Sequence, residues 1–144
     1  MVRKPKQISL LDQQSALMAN YPNSSCKRNR ESSLEWIGTL QPLPLSRTFL
    51  VRIFLKKGKH PEVFVLDPAP LPLAHGKSRL PHVYSTKNQQ LCLYYPKYNE
   101  WNSKMYLAKT IVPWISEWLC FYEIWVGTGE WHGGGIHDED LLKN

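Results

Sequence analysis

Apolar positions near the start of the chain fall on one helical face. Leu10, Leu11, Gln14, Leu17 and Met18 recur at helical spacing between Ser9 and Asn20, and Tyr21-Pro22 ends the pattern. Ser9 with Asp12 three positions on is a weak capping box. Residues 23–33 are polar and carry Cys26-Lys27-Arg28-Asn29-Arg30. They read as a solvated loop. The alternative, a phosphate-binding patch, lacks an aromatic among the charges to stack a base. Three strand candidates follow, over residues 34–40, 48–55 and 62–66, separated by Pro-rich or Lys/Gly-rich turns. Short connections between successive runs favour an antiparallel meander over crossover units. From Pro68 to Tyr98 periodicity fades, and Pro68, Pro70, Pro72, Pro81 and Pro96 indicate a long ordered coil.

Residues 104–126 predict the longest helix. Ala108, Ile111, Val112, Ile115, Trp118, Leu119, Tyr122 and Trp125 form its apolar stripe. Pro113 inside this run implies either a kink or a helix that starts near Ile111. A glycine-rich loop from Gly127 to His137 precedes an acidic tail. The fold class is therefore α+β: N-terminal helix, antiparallel β-meander of three or four strands, long coil and central helix.

With 144 residues the chain fits a single domain, taken as 1–144. Its 42% hydrophobic and 21% charged residues exclude disordered, collagenous and coiled-coil classes. No stretch approaches the ~20 apolar residues of a membrane span, so no membrane partner is expected. No secretory signal pattern opens the chain, which predicts a cytoplasmic protein whose Cys26, Cys92 and Cys120 are thiols. The net charge of +6 favours an acidic or nucleic-acid partner without bearing on the fold.

Three motifs offer chemistry. Gly76-Lys77-Ser78 resembles the end of a phosphate loop, but the required earlier glycine is Leu71 and no strand leads into a helix. His132 and His137 with one of the cysteines could bind zinc, yet paired cysteine spacing is missing, so no metal is expected. The third motif is Leu91-Cys92-Leu93. A cysteine between leucines is ordinarily a small buried hydrophobe. This one lies in the Pro-bounded coil, ten residues after His82 and nine before Trp101, with the amphipathic helix next.

That ordering resembles the ubiquitin-conjugating enzymes, over roughly residues 8–126. In that family a meander leads to a His-Pro-Asn motif, a catalytic cysteine in a Cys-Leu context, a tryptophan and a central helix. Pro81-His82-Val83-Tyr84 stands at the motif, and the His82-to-Cys92 separation is the family's own. Val83 and Tyr84 replace the family's proline and asparagine, Trp101 comes about one residue late, and nothing after Trp125 matches the usual C-terminal helices. These departures are similar to the compact bacterial type found in cyclic-oligonucleotide antiphage (CBASS) operons. The resemblance implies a cysteine-dependent acyl transfer on the C-terminal tail of a cGAS-like nucleotidyltransferase, joining it to lysine. It implies an activating enzyme as a further partner where the donor must be pre-activated, and no cofactor.

Cys92 would act as a thiolate, and its tetrahedral intermediate needs oxyanion donors. With no asparagine at position 84, Tyr84, Asn88 and the backbone at Gln89-Gln90 are the local candidates. His132 or His137 could return beside Cys92 as general base; the glycine-rich loop reads equally as a mobile tail. His82 reads as structural first and catalytic second. Trp101, Trp131, Gly133 and Gly134 are candidate substrate contacts, the glycines because another backbone could approach them. Cys120 reads as core, and Cys26, among Lys27, Arg28 and Arg30, is the rival nucleophile. Two other readings compete: an inactive binding module of the same fold, and a basic nucleic-acid-binding domain using Lys27, Arg28, Arg30, Lys56, Lys57 and Lys59, which ranks last.

Overall fold

Two side chains start the first helix, α1 (Leu10–Asn20). Ser9 Oγ accepts the Asp12 backbone N–H at 3.0 Å, and the Glu31 carboxylate accepts those of Leu10 and Leu11 at 2.8 and 3.0 Å. Three of the otherwise unpaired N-terminal donors are thereby satisfied. The computed structural model in which this is seen describes residues 6–133. On the buried side of α1, Leu10 and Leu17 enter the core with Gln13 between them. Gln13 donates to the Met105 carbonyl and accepts from the Leu107 N–H, both at 2.9 Å. One buried amide thus ties α1 to the approach of the second helix.

The stretch expected as a solvated loop is instead a hairpin arm. Strand β1 (Ser25–Asn29) pairs antiparallel with β2 (Ser33–Leu40), Ser25 opposite Ile37 and Asn29 opposite Ser33. An edge strand covered on one side by a helix need bury little, so its sequence lacks apolar alternation. Gln14 reaches from α1 to the Cys26 carbonyl at 3.0 Å and accepts from Arg28 Nε at 3.2 Å. Strands β3 (Phe49–Lys56) and β4 (Glu62–Asp67) complete the meander. Leu34, Trp36, Leu40, Phe49, Val51, Ile53, Leu55, Val63 and Val65 alternate inward as a half-buried sheet requires. Gly38 lies under the Trp36 indole, where an added Cβ would stand 2.5 Å from Cζ2. On the outer face Arg52 pairs with Glu35 at 2.7 Å and lies 5.2 and 5.3 Å from the rings of Phe54 and Phe64.

The long coil contributes two strands that were not predicted. β5 (Val83–Ser85) and β6 (Gln90–Leu91) extend the sheet to six strands in the order β1-β2-β3-β4-β6-β5. Strands of two and three residues are too short to write an alternation. What fastens them is Gln89, 3% exposed and at φ 52°. Its side chain donates to the carbonyls of Val65 (3.0 Å) and Pro68 (2.9 Å) and accepts the Leu71 N–H at 2.6 Å. Its own carbonyl accepts the Val65 N–H at 3.0 Å.

The second helix, α2, spans Ile111–Thr128, so the later of the two expected starts is the one adopted. Pro113 falls in the first turn, where its missing N–H costs no intrahelical bond. Residues 107–109, read as helix from sequence, form a 3-10 turn that carries Leu107 and Ala108 into the core. Ile111, Val112, Ile115, Trp118, Leu119, Tyr122 and Trp125 are buried against the sheet. Gly129, at φ 77°, closes the helix by donating to the Trp125 carbonyl at 2.7 Å. The result is α+β: N-terminal helix, antiparallel sheet, and a C-terminal helix across one face. Among the described residues no helix is long and apolar enough to cross a membrane.

Candidate functional site

Cys92 follows β6 directly, and its backbone is fixed before its side chain is considered. The Cys92 N–H donates to the His82 carbonyl at 3.0 Å, and the same carbonyl accepts Trp118 Nε1–H of α2 at 3.1 Å. One carbonyl therefore joins the coil, the cysteine and the central helix. His82 holds it out at φ 48°, a left-handed backbone uncommon outside glycine. Its ring is buried and lies 5.0 Å from the Trp131 ring at 30°.

At the thiol, two groups converge on one acceptor. Cys92 Sγ and Tyr84 Oη are each 3.4 Å from the Tyr94 carbonyl. Burial, reinforced by the Cys92 side chain nearby, pushes the Tyr84 phenol well above its usual range. The Tyr94 phenol rises too, through burial and then the charge at Cys92. Both phenols stay protonated at neutral pH and remain donors. Tyr94 Oη is held by His60 Nδ1 at 2.7 Å and its ring meets Trp114 edge-on at 5.9 Å.

A cleft of about 560 Å3 leads to this thiol. One wall is the run after Cys92, with Tyr94, Tyr95 and Tyr98; the other is α2, with Trp114, Trp118 and Phe121. Trp131 closes one side, its ring tilted against those of His82, Trp118 (5.6 Å) and Phe121 (5.9 Å). Glu100 and Glu117 also line the cleft. Lys97 lies outside the lining, its ammonium 4.9 and 5.3 Å from the Tyr95 and Tyr98 rings.

Of the residues singled out from sequence, Cys92, His82 and Trp131 line this cleft, and Tyr84 shares the Tyr94 carbonyl with Cys92. Others lie elsewhere. Trp101, expected as a substrate contact, is 1% exposed and donates to Thr110 Oγ1 at 3.1 Å, a core residue outside the cleft. Asn88 sits in the exposed β5–β6 turn, its N–H bonded to Ser85 Oγ at 3.0 Å. Gln89, next to it, is spent as the clamp on β4. His132, expected as a base, is exposed and 3.7 Å from Glu130 rather than in the lining. Gly133 packs where a Cβ would come 2.7 Å from Trp131 Nε1 and 2.8 Å from Phe121 Cδ2, so it seats Trp131. Gly134 and His137 lie outside the described residues. Burial pushes the Cys26 thiol up to about 11, which removes the rival nucleophile at neutral pH.

Sequence reasoning missed the α2 wall and the tyrosines. Trp114, Glu117 and Phe121 flank Trp118 of the core stripe at helical spacing, and a glutamate among aromatics there was the available signal. Among the described residues no three His, Cys, Asp or Glu side chains are grouped to hold a metal ion.

A model of the family described as Type II CBASS E2 protein matches residues 13–138. No curated protein matches the chain.

Proposed function

Since the chain belongs to the Type II CBASS E2 family, with its role in CBASS antiphage signalling, we propose that it is a cysteine-dependent acyltransferase. Its donor is the C-terminal tail of a cGAS-like nucleotidyltransferase and its acceptor is lysine. The observation that carries this reading is the setting of Cys92: a backbone fixed by the His82 carbonyl, a thiol lining a cleft, and the Tyr84 hydroxyl converging with it on the Tyr94 carbonyl.

In the first step Cys92 Sγ attacks the terminal acyl carbon. The thiol proton leaves, the S–C bond forms and the donor's leaving group departs. A thioester lies above an amide in energy, so this donor arrives activated by another enzyme, or Cys92 itself cleaves a peptide bond. In the second step a lysine amine attacks the thioester carbonyl, the C–S bond breaks and the thiolate is regenerated. Each step passes through a tetrahedral oxyanion. Tyr84, kept protonated by burial, donates to it in place of an asparagine amide.

Co-expression with a cGAS-like nucleotidyltransferase of a CBASS system tests this, wild type against Cys92→Ala, by non-reducing gel and intact mass. A thiol-sensitive adduct in wild type alone is expected. Association with no adduct in either sample would replace the enzyme with a binding module. Tyr84→Phe is expected to slow discharge of the adduct by about a hundredfold, the loss typical of one oxyanion donor. An unchanged discharge rate would remove Tyr84 from the chemistry.

A further inference from the structure

The cleft is acidic although the protein carries a net charge of +6. Glu100 and Glu117 both line it, and among the described residues no lysine or arginine does. Among the described residues neither carboxylate has a cationic partner within 4.0 Å. The remaining walls are largely aromatic faces, which attract cations through their ring quadrupole. Lys97 already rests against two of those rings from outside. Carboxylates set among tryptophan and tyrosine rings are the chemistry that holds an ammonium or guanidinium group. The volume, about 560 Å3, suits a short peptide segment rather than one side chain.

We propose that this cleft selects a donor tail carrying a lysine or arginine just before the carbonyl presented to Cys92, the cation seated between Glu100, Glu117 and the aromatic walls. The proposal rests on the acyl-transfer reading, and it names what that reading leaves open, the substrate's side-chain class. Two exposed carboxylates lining the same cleft as Cys92, without an ion pair among the described residues, would repel acidic tails and discriminate little among neutral ones. A basic residue gains from both walls at once.

The test uses three acetylated tripeptides ending in a glycine vinyl methyl ester, with arginine, citrulline or glutamate before the glycine. Labelling of Cys92 is followed by intact mass with no acceptor amine present, so the acceptor lysine cannot account for a preference. Arginine is expected to react about tenfold faster than its neutral isostere citrulline, and glutamate more slowly than either. In the double variant Glu100→Gln/Glu117→Gln the arginine-to-citrulline ratio should fall to about twofold. A ratio within one protein is insensitive to changes in thiol reactivity. The same tripeptides as amides, titrated into Cys92→Ser by tryptophan fluorescence, report binding without chemistry. Equal arginine and citrulline in both assays overturns the proposal while labelling itself keeps acyl transfer. A preference that survives the double variant overturns the role of the carboxylates. Arginine-selective binding without labelling by any probe upholds the cleft's selectivity and sinks acyl transfer. Displacement of the arginine peptide by equimolar n-butylamine would assign the cleft to the acceptor instead.

Discussion

The two ends of the sheet are built on opposite terms. From β1 to β4, strands of five to eight residues pair in long ladders, and β2, β3 and β4 bury alternate side chains. At the β6–β5 end, strands of two and three residues meet β4 through a single register pair. The first end is held by apolar area, the second by individually placed polar groups. Gln89, the His82 carbonyl and Trp118 do there what a row of leucines does elsewhere. The proposed chemistry sits at the second end. A fold stabilised by area tolerates imprecision, whereas one fixed by named hydrogen bonds sets a thiol within a few tenths of an ångström.

Substitutions at the two ends should separate stability from thiol behaviour. Trp36→Ala empties the middle of the ladder end and is expected to cost about 4 kcal/mol in urea unfolding, with Cys92 alkylation unchanged in the folded protein. Altered alkylation would mean that the two ends are coupled. Gln89→Leu strands two carbonyls and one N–H, for roughly 2–3 kcal/mol, and should also change the alkylation rate. Trp118→Phe removes one donor from the His82 carbonyl, about 1 kcal/mol, again with altered alkylation. A change confined to thermal stability would separate Trp118 from the site.

The smallest effect lies at the far edge and depends on pH. The Leu10 N–H, aided by Leu11, Arg28 and Lys57, holds the Glu31 carboxyl below its ordinary 4.5. A depressed carboxylate stabilises above its unfolded value and loses that contribution as pH falls through the folded one. Melting of Glu31→Gln should therefore trail wild type at neutral pH, and the gap should close below pH 4.5. A gap independent of pH would assign the contribution to hydrogen bonding rather than charge.

The sequence disclosed what periodicity can carry. α1, β2, β3, β4 and the buried stripe of α2 all have enough length for their pattern to outweigh local noise. β1 was hidden because an edge strand of Ser, Cys, Lys, Arg and Asn has no apolar face to display. β5 and β6 were hidden because their pairing depends on one glutamine side chain, which no local window weighs. In the site, the spacing from His82 to Cys92 was legible because both belong to one stretch of coil. The α2 wall was not, since bringing Trp114, Glu117 and Phe121 opposite Tyr94 is a product of tertiary packing. Trp101 misled for the opposite reason: a large aromatic near the candidate nucleophile in sequence went into the core.

The His82 carbonyl, which accepts from both Cys92 and Trp118, also fixes a timescale. To free the Cys92 amide the coil must peel away from a helix whose own residues are buried in the core, an event close to global opening. Its proton should exchange with deuterium about as slowly as the protons of β3. Those of the exposed turn at residues 96–100 should exchange orders of magnitude sooner. The proposed nucleophile would then keep the slow clock of the core while the cleft wall a few residues on keeps the fast clock of a loop.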